Sequence, residues 1–229
     1  MKVKVLSWNI WVDGHFDEIT HFIKNFNADI ICLQEVKDND SERDIIGFLE
    51  KLGYDYAFAS TLQTWDGKKY KHGPAVFSKF TIKNSRTYML SEENVRVAVR
   101  ADINIGNQIL HVFSTHLMHT HQKSSEEQEE QARNLIKLIP NKRSILTGDF
   151  NATPESEAIK LLNSVFMDTD KTSSPTWSVY KAGCELCNLD KITIRLDYIF
   201  TTKDITSSFF EVGQSRGSDH LPVSTIIEV

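Results

Sequence analysis

The sequence predicts an α/β fold of two packed sheets covered by helices, and two observations carry that prediction. Short apolar or alternating runs recur along the whole 229-residue chain, with few helical stretches between them. No internal repeat, low-complexity linker or shift in composition divides the chain, so residues 1–229 read as one domain. Many strands with a few interspersed helices bury their apolar faces best as stacked sheets with helices outside.

Taken in order, Val3–Ile10 opens as a strand, and Phe16–Phe26 follows as a helix with Ile19, Phe22, Ile23 and Phe26 at helical spacing. Asp29–Gln34 is a short apolar strand, and Ser41–Leu52 is helical through Ile45, Phe48, Leu49 and Leu52. Ala75–Ser78 reads as a strand. Val95–Ile105 alternates cleanly, which places Arg96 and Arg100 on one face. Gly106-Asn107 fits a hairpin turn into the next strand, Gln108–Thr115. Ser124–Ile139 is the clearest helix: Ser125 and Gln128 form a capping box, acids fill the first turns, and Pro140 ends it. Ser144–Thr147 is a strand, Ser156–Leu162 a short helix after Pro154, and Leu196–Phe200 and Val223–Ile227 complete the strands.

Composition narrows the function. Hydrophobic residues at 40% suffice for a core, and charged residues at 25% are ordinary for a soluble domain. No apolar run approaches the roughly 18–20 residues of a membrane span, so no membrane partner is expected. Met1–Leu6 enters a strand directly, without a signal-peptide pattern, which predicts an intracellular, cytoplasmic protein, monomeric by default. A net charge of −5 argues against a protein that coats nucleic acid nonspecifically, since such binding rests on many Lys and Arg contacts. It is compatible with an enzyme whose metal site is acidic. Of three cysteines, Cys32 reads as a small buried hydrophobe. Cys184 and Cys187 form a lone CxxC, read as loop thiols, with a redox pair or a metal site completed by distant histidines as alternatives.

Polar, acid–base-capable side chains stand at the strand ends, where a packed core would not place them. They are Ser218-Asp219-His220, Gly148-Asp149-Phe150-Asn151, Asp197 within Arg195-Leu196-Asp197-Tyr198, Glu35 after Leu33-Gln34, and Asn9 after Ser7-Trp8. Such distant segments meet only if the sheets bring their ends to one rim, which would bind a divalent metal and attack something anionic. Asp149 and Asn151 project to the same side, or else form an Asx turn. Arg195 and Asp197 are a same-face pair that could be purely structural. Asp219-His220 sets a carboxylate beside an imidazole. Glu35 suits a hard cation such as Mg²⁺. His116 ends a strand and reaches the rim, whereas His119 and His121 read as solvent-facing and match no standard zinc motif. The mixed basic and aromatic run Trp65–Gly73 is either a strand-tracking surface or a solvated loop.

Together, Leu6–Ile10, Leu33–Val36, Ser114–Leu117, Thr147–Asn151, Thr176-Trp177, Arg195–Tyr198 and Ser218–His220 resemble, in the same order, the motifs of the endonuclease/exonuclease/phosphatase superfamily. The resemblance implies a DNase I-like, four-layered α/β sandwich of two mixed sheets. It implies Mg²⁺, with Mn²⁺ as a substitute, held by Glu35, Asn9 and Asp219. It assigns Asp149, supported by Asn151, to the attacking water. His220, positioned by Asp197, would act at the phosphoryl group, and His116 would donate to non-bridging oxygens. Candidate substrate contacts are Arg96, Arg195, Trp177, Lys68 and Lys69. The implied activity is a phosphodiesterase acting on nucleic acid or its ends by in-line water attack. A phosphomonoesterase for a small metabolite or inositol phosphate is the runner-up, and an inactive binding module is the rival of another class. Trp11, where abasic-site endonucleases carry a polar residue, and His116, where they carry Tyr, weigh against abasic-site specificity. The Asn9-Ile10-Trp11 opening and the Thr115-His116-Leu117 segment leading into a Glu- and Gln-rich helix are more similar to the 5′-tyrosyl-DNA phosphodiesterase branch. The stretch 178–191 aligns with no branch.

Overall fold

A computed structural model describes residues 1–65, 67–181, 184, 187 and 191–229. Asp66 and most of 182–190 therefore lie outside the described residues, along with what the sequence suggested there. One sheet runs β12 (Thr206–Val212), β13 (Val223–Glu228), β1 (Lys2–Asn9), β2 (Ile30–Lys37), β5 (Lys68–Ser78) and β3 (Asp55–Phe58), with β4 (Thr61–Trp65) also paired to β5. The other runs β10 (Met167–Asp168), β11 (Asp197–Thr201), β9 (Ser144–Asp149), β8 (Gln108–His116), β7 (Arg96–Ile105) and β6 (Ile82–Ser91). Both are mixed: β1–β2 and β8–β9 are parallel pairs among antiparallel neighbours.

The helices occupy the two outer layers. α1 (Phe16–Phe26) and α2 (Ile45–Lys51) place Ile19, Ile23, Ile45 and Leu49 against Leu6, Trp8, Ile31 and Leu33 of the first sheet. α3 (Glu126–Leu138) and α4 (Glu157–Val165) place Ala132, Leu135, Ile159 and Leu162 against Phe113, Leu146 and Phe200 of the second. Between the sheets Val3, Val5, Cys32, Val76, Val99, Val112, Ile145 and Ile199 form the central layer. The result is the four-layered sandwich. Among the described residues no helix is long and apolar enough to cross a membrane.

The period of two along each strand decides what the central layer becomes at its end. On β1 the face that carries Val3 and Val5 continues through Ser7 to Asn9. On β8 the face of Val112 continues through Ser114 to His116, and on β9 that of Ile145 continues through Thr147 to Asp149. Apolar burial gives way to polar residues at one end of the sandwich. Gln34 Nε2 bridges the two sheets there by donating to Ser114 Oγ at 3.1 Å.

Several elements differ from the sequence reading for physical reasons. β3, β4, β6, β10 and β12 were not anticipated. β6 and β12 are edge strands with mostly exposed or half-exposed residues, so neither shows the alternation that marks a half-buried strand. Lys68–Gly73 is the start of β5 rather than a loop, and α2 begins at Ile45 because the Asp44 carboxylate accepts from Gly47 N at 2.8 Å. Only half of the capping box forms on α3. Ser125 Oγ accepts from Gln128 N, but the Gln128 side chain turns inward and donates to Met118 O at 2.7 Å and Asn151 O at 2.9 Å.

Candidate active site

The rim at the polar end is assembled by register. His116 pairs with Asp149 across the parallel β8–β9 ladder, and Asp149 stands opposite Asp197 across β9–β11. β8 and β9 approach closely at Gly148, where a Cβ would lie 2.2 Å from Thr115 O, so no other residue fits there. From the other sheet, β1 delivers Asn9. β2 would turn Glu35 toward the helices, in phase with Ile31 and Leu33. A register shift between Leu33 and Val36, with Glu35 at φ +59, re-aims the side chain toward the rim. Trp11 and Asn151 also adopt left-handed backbone, at φ +49 and +50. Three such non-glycine residues at one site are conformations held by their surroundings.

Hydrogen bonds fix each group. Trp11 N donates to Asn9 Oδ1 at 3.0 Å, which orients the Asn9 amide so that Nδ2 donates to Glu35 Oε1 at 3.0 Å and Asp149 Oδ2 at 2.9 Å. Val12 N donates to Glu35 Oε2 at 2.8 Å. The loop that carries it is pinned by the Arg43 guanidinium, which donates to the carbonyls of Val12 and Trp11. Asn151 N donates to Asp149 Oδ1 at 2.9 Å. Thr176 Oγ1 donates to Asp197 Oδ2 at 2.6 Å, and His220 Nδ1 meets the same oxygen at 2.9 Å. Asp197 Oδ1 is buried without a hydrogen-bond partner among the described residues. Ser218 Oγ donates to Asn9 O at 2.6 Å and accepts from His220 N, while Trp8 Nε1 donates to His220 O.

Two imidazoles flank one carboxylate oxygen: Asp149 Oδ2 lies 3.4 Å from His116 Nε2 and 3.5 Å from His220 Nε2. Burial opposes charge on both rings. At His220 the carboxylates of Asp197, Asp149 and Asp219 outweigh burial and hold the imidazole well above its ordinary range, so it is cationic. At His116 burial, reinforced by Arg96 and His72, holds the imidazole well below that range, so it is neutral. Burial also pushes the Asp149 carboxyl up, against the pull of His220.

The tautomer of His116 follows from geometry. Asn151 Nδ2 lies 3.1 Å from Leu117 O, an atom that only accepts, so the amide nitrogen must face it. The same Nδ2 then donates to His116 Nε2 at 2.9 Å, which leaves the ring proton on Nδ1, 3.8 Å from Glu35 Oε1.

Of the residues expected from sequence, Asn9, Glu35, His116, Asp149, Asn151, Asp197 and His220 share this hydrogen-bonded group. Asp219 is held beside it by Trp177 Nε1, which donates to Asp219 Oδ2 at 3.1 Å. Trp177 is buried and thus positions Asp219 rather than presenting a face to substrate. Arg96 borders the group, and the carboxylates of Glu35 and Asp149 act on its guanidinium against the effect of burial. Its Nε is buried without a hydrogen-bond partner among the described residues. Arg100, expected on the same face, pairs instead with Asp102 and His111. Arg195 is turned away: its guanidinium makes two 2.8 Å bonds to Asp168 and stacks 4.1 Å over the Tyr198 ring, so the structural alternative holds for it and the pairing with Asp197 does not. Lys68 and Lys69 are exposed on the β4–β5 hairpin, beyond the point where β5 meets Val36. His119, expected in solvent, is half-buried against Asn151 Oδ1 at 2.7 Å. Arg43, Gln128, Thr176 and Ser218 were missed as positioning residues. Gln128, Thr176 and Ser218 lie in motifs the sequence shows, but their partners are largely backbone atoms or side chains remote in sequence, so the motifs do not reveal these contacts.

The donors suit a metal. Glu35 and Asp149 offer carboxylate oxygens drawn together by the Asn9 amide nitrogen, the chemistry a hard divalent cation takes, whereas the Asn9 oxygen, expected from sequence as a metal ligand, is turned to Trp11 N. Asp149, Asp197 and His220 also bring donor atoms within 4.8 Å of one another, though His220 commits Nδ1 to Asp197.

Known proteins share this fold. The family model described as Endonuclease/Exonuclease/phosphatase family matches residues 6–220. Over 94 residues the chain is 37% identical to the CCR4-Not complex 3'-5'-exoribonuclease subunit Ccr4 of Candida glabrata, a stretch that takes in 39% of this chain and 10% of that relative. The fold superposes on the crystal structure of an endonuclease/exonuclease/phosphatase from Beutenbergia cavernae with a TM-score of 0.81 at 20% identity, covering 100% of this chain and 72% of that one. It also superposes on the mannosyl-6-phosphatase of Bacteroides thetaiotaomicron with a TM-score of 0.73 at 18% identity, covering 99% and 100% of the two chains. The chain belongs to the endonuclease/exonuclease/phosphatase family, whose members are metal-dependent phosphoesterases and nucleases.

Proposed function

We propose that the chain is a Mg²⁺-dependent phosphodiesterase that hydrolyses nucleic acid or its ends by in-line attack of water. The observation that carries this reading is the Asp149 carboxylate set between a cationic His220 and a neutral His116. Asp149, its carboxyl pushed up by burial, is placed to take a proton from the attacking water. The His220 imidazolium, braced on Asp197, presents Nε2–H to the phosphoryl group or leaving oxygen. His116 offers its Nδ1–H to a non-bridging oxygen. Glu35, with Asp219 nearby, is the proposed holder of Mg²⁺, with Mn²⁺ substituting, and Asn9 positions the Glu35 carboxylate through Nδ2. When bound, the ion supplies positive charge to the phosphoryl oxygens. The Arg96 guanidinium adds a further cation at the same rim.

A nucleic-acid substrate is supported by the aromatic pair beside the site. Trp11, two residues from Asn9, stacks on Tyr180 at 6.1 Å with an interplanar angle of 25°. Both rings are half-exposed, and Arg216 lies over Tyr180. Such a surface accepts a base regardless of its identity. The exoribonuclease named among the relatives points the same way, and the mannosyl-6-phosphatase supports the second reading, a phosphomonoesterase for a small metabolite.

The test is Mg²⁺-dependent cleavage of a matched set: a 5′-phosphotyrosyl oligonucleotide, an abasic-site duplex, an unmodified single strand and a sugar phosphate, with EDTA and Glu35→Gln as blanks. Cleavage of an oligonucleotide, with KM raised roughly tenfold by Trp11→Ala as expected for one lost stacking contact, supports the proposal. Release of tyrosine would place the chain in the 5′-tyrosyl-DNA phosphodiesterase branch. Turnover of the sugar phosphate alone would transfer the reading to a phosphomonoesterase.

A further inference from the structure

Outside the catalytic group, two loops distant in sequence bring His119, His121, Cys184 and Cys187 together, with one donor atom of each within 4.8 Å of all the others. We propose that these four residues form a tetrahedral Cys₂His₂ zinc site, joined to the catalytic cleft by the hydrogen bond between His119 and Asn151.

Three of the six spacings, all from His121 Nδ1, are close to a tetrahedron's edges. With Zn–N near 2.05 Å and Zn–S near 2.3 Å, the edges are about 3.3 Å for N–N and about 3.6 Å for N–S. His119 Nε2 lies 3.1 Å from His121 Nδ1, which lies 3.3 Å from Cys184 Sγ and 3.5 Å from Cys187 Sγ.

Hydrogen bonding among the four does not account for this convergence. An imidazole nitrogen has one direction in which to donate or accept, yet three polar atoms crowd His121 Nδ1. If that nitrogen donated to His119 Nε2, it would have no lone pair left for either thiol. A cation at the shared centre uses all four lone pairs at once.

His119 is preset for that role. Leu117 O orients the Asn151 amide, so Oδ1 faces His119 Nδ1 at 2.7 Å and the ring proton must reside on Nδ1. Nε2 is then unprotonated and directed at His121 and the sulfurs. A carbonyl taking the distal N–H of a ligating histidine is the usual outer support of a zinc ligand. On the cysteine side, Cys187 N donates to Cys184 Sγ at 3.2 Å, which ties the two cysteines into one turn. Consecutive left-handed residues, His121 at φ +51 and Gln122 at φ +58, turn the histidine loop where the ligands gather. Two histidines and two thiolates select a borderline-soft ion such as zinc over the hard ion proposed at Glu35.

The test uses the full chain, reduced and loaded with Co²⁺ as a spectroscopic substitute for zinc. The expected result is thiolate-to-cobalt charge transfer in the near ultraviolet with the d–d bands of a tetrahedral site, saturating at one equivalent and displaced by Zn²⁺. The charge-transfer bands should vanish in Cys184→Ser with Cys187→Ser, the d–d bands should change in the exposed-site variant His121→Ala, and both should persist in Glu35→Gln. Absence of the bands from the reduced wild type, or their survival in the double cysteine variant, would overturn the proposal. So would their loss in Glu35→Gln, or a chain two hydrogens lighter in air that takes up no metal once reduced, the mark of a Cys184–Cys187 redox pair. Because the readout is the cobalt spectrum and not hydrolysis, failure here leaves the phosphoesterase reading intact.

Discussion

The two sides of the Asp149 carboxylate carry the same residue type, yet one imidazole is charged and the other neutral. On one side His220 meets Asp197, Asp149 and Asp219, with Thr176 and Ser218 fixing the segment. On the other His116 faces Arg96 and His72, and Asn151 donates into its ring nitrogen. Burial acts the same way on both imidazoles, so the neighbours decide the outcome. One rim thus holds an acid and a neutral donor about the same carboxylate oxygen, a division of labour set by environment rather than residue type.

Removing the acid side should have the largest effect. Asp197→Asn takes away the carboxylate that holds the His220 proton, and kcat should fall by about 10²- to 10⁴-fold, the span of a lost general acid. The fold should persist, because Asn is isosteric and can still accept from Thr176. A variant within a few-fold of wild type would show that His220 works without its carboxylate brace.

The neutral side rests on Asn151, and Asn151 rests partly on Gln128. Gln128→Leu would leave Met118 O and Asn151 O short of a donor and should cost about 1–3 kcal/mol by denaturant unfolding. Activity should fall with it if the orientation of Asn151 sets the His116 tautomer. An unchanged midpoint would mean that other donors replace the Gln128 amide.

The smallest effects sharpen the contrast by pH, measured on metal-free protein in EDTA. His116 is depressed in the folded state, so below its ordinary value of 6.5 the unfolded chain takes a proton that the folded chain refuses. Its contribution is therefore complete above that value and declines as pH falls, with a slope of at most about 1.4 kcal/mol per pH unit. His220 is raised, so its contribution is complete below the ordinary value and is lost as pH rises through the folded one. Difference profiles of Tm against pH should show His116→Asn flattening the first limb and Asp197→Asn the second. Profiles parallel to wild type would remove both assignments.

Much of this was legible in the sequence because strand ends carry their function in phase with their core. Asn9, Asp149 and His116 continue the inward face of apolar runs, so their position at a rim could be read before any contact was known. Glu35 could be placed at a strand end but not aimed, since a bulge that reverses its face leaves no mark in the pattern. The Arg195–Asp197 pair failed for a related reason: two-residue spacing predicts a shared face within a strand, and β11 begins only at Asp197. Edge strands β6 and β12 escaped because exposure on both faces erases the alternation. The assembly of His119 and His121 with Cys184 and Cys187 joins segments more than sixty residues apart, beyond the reach of any spacing rule.

The most direct test of the contrast is the ¹⁵N spectrum of the histidine rings, titrated in metal-free wild type and assigned with His116→Asn and His220→Ala. His220 should stay cationic through neutral pH, with Nδ1–H bonded to Asp197, while His116 should stay neutral with its proton on Nδ1. Two rings that lose their charge together near 6.5, or a cationic His116 beside a neutral His220, would contradict these assignments.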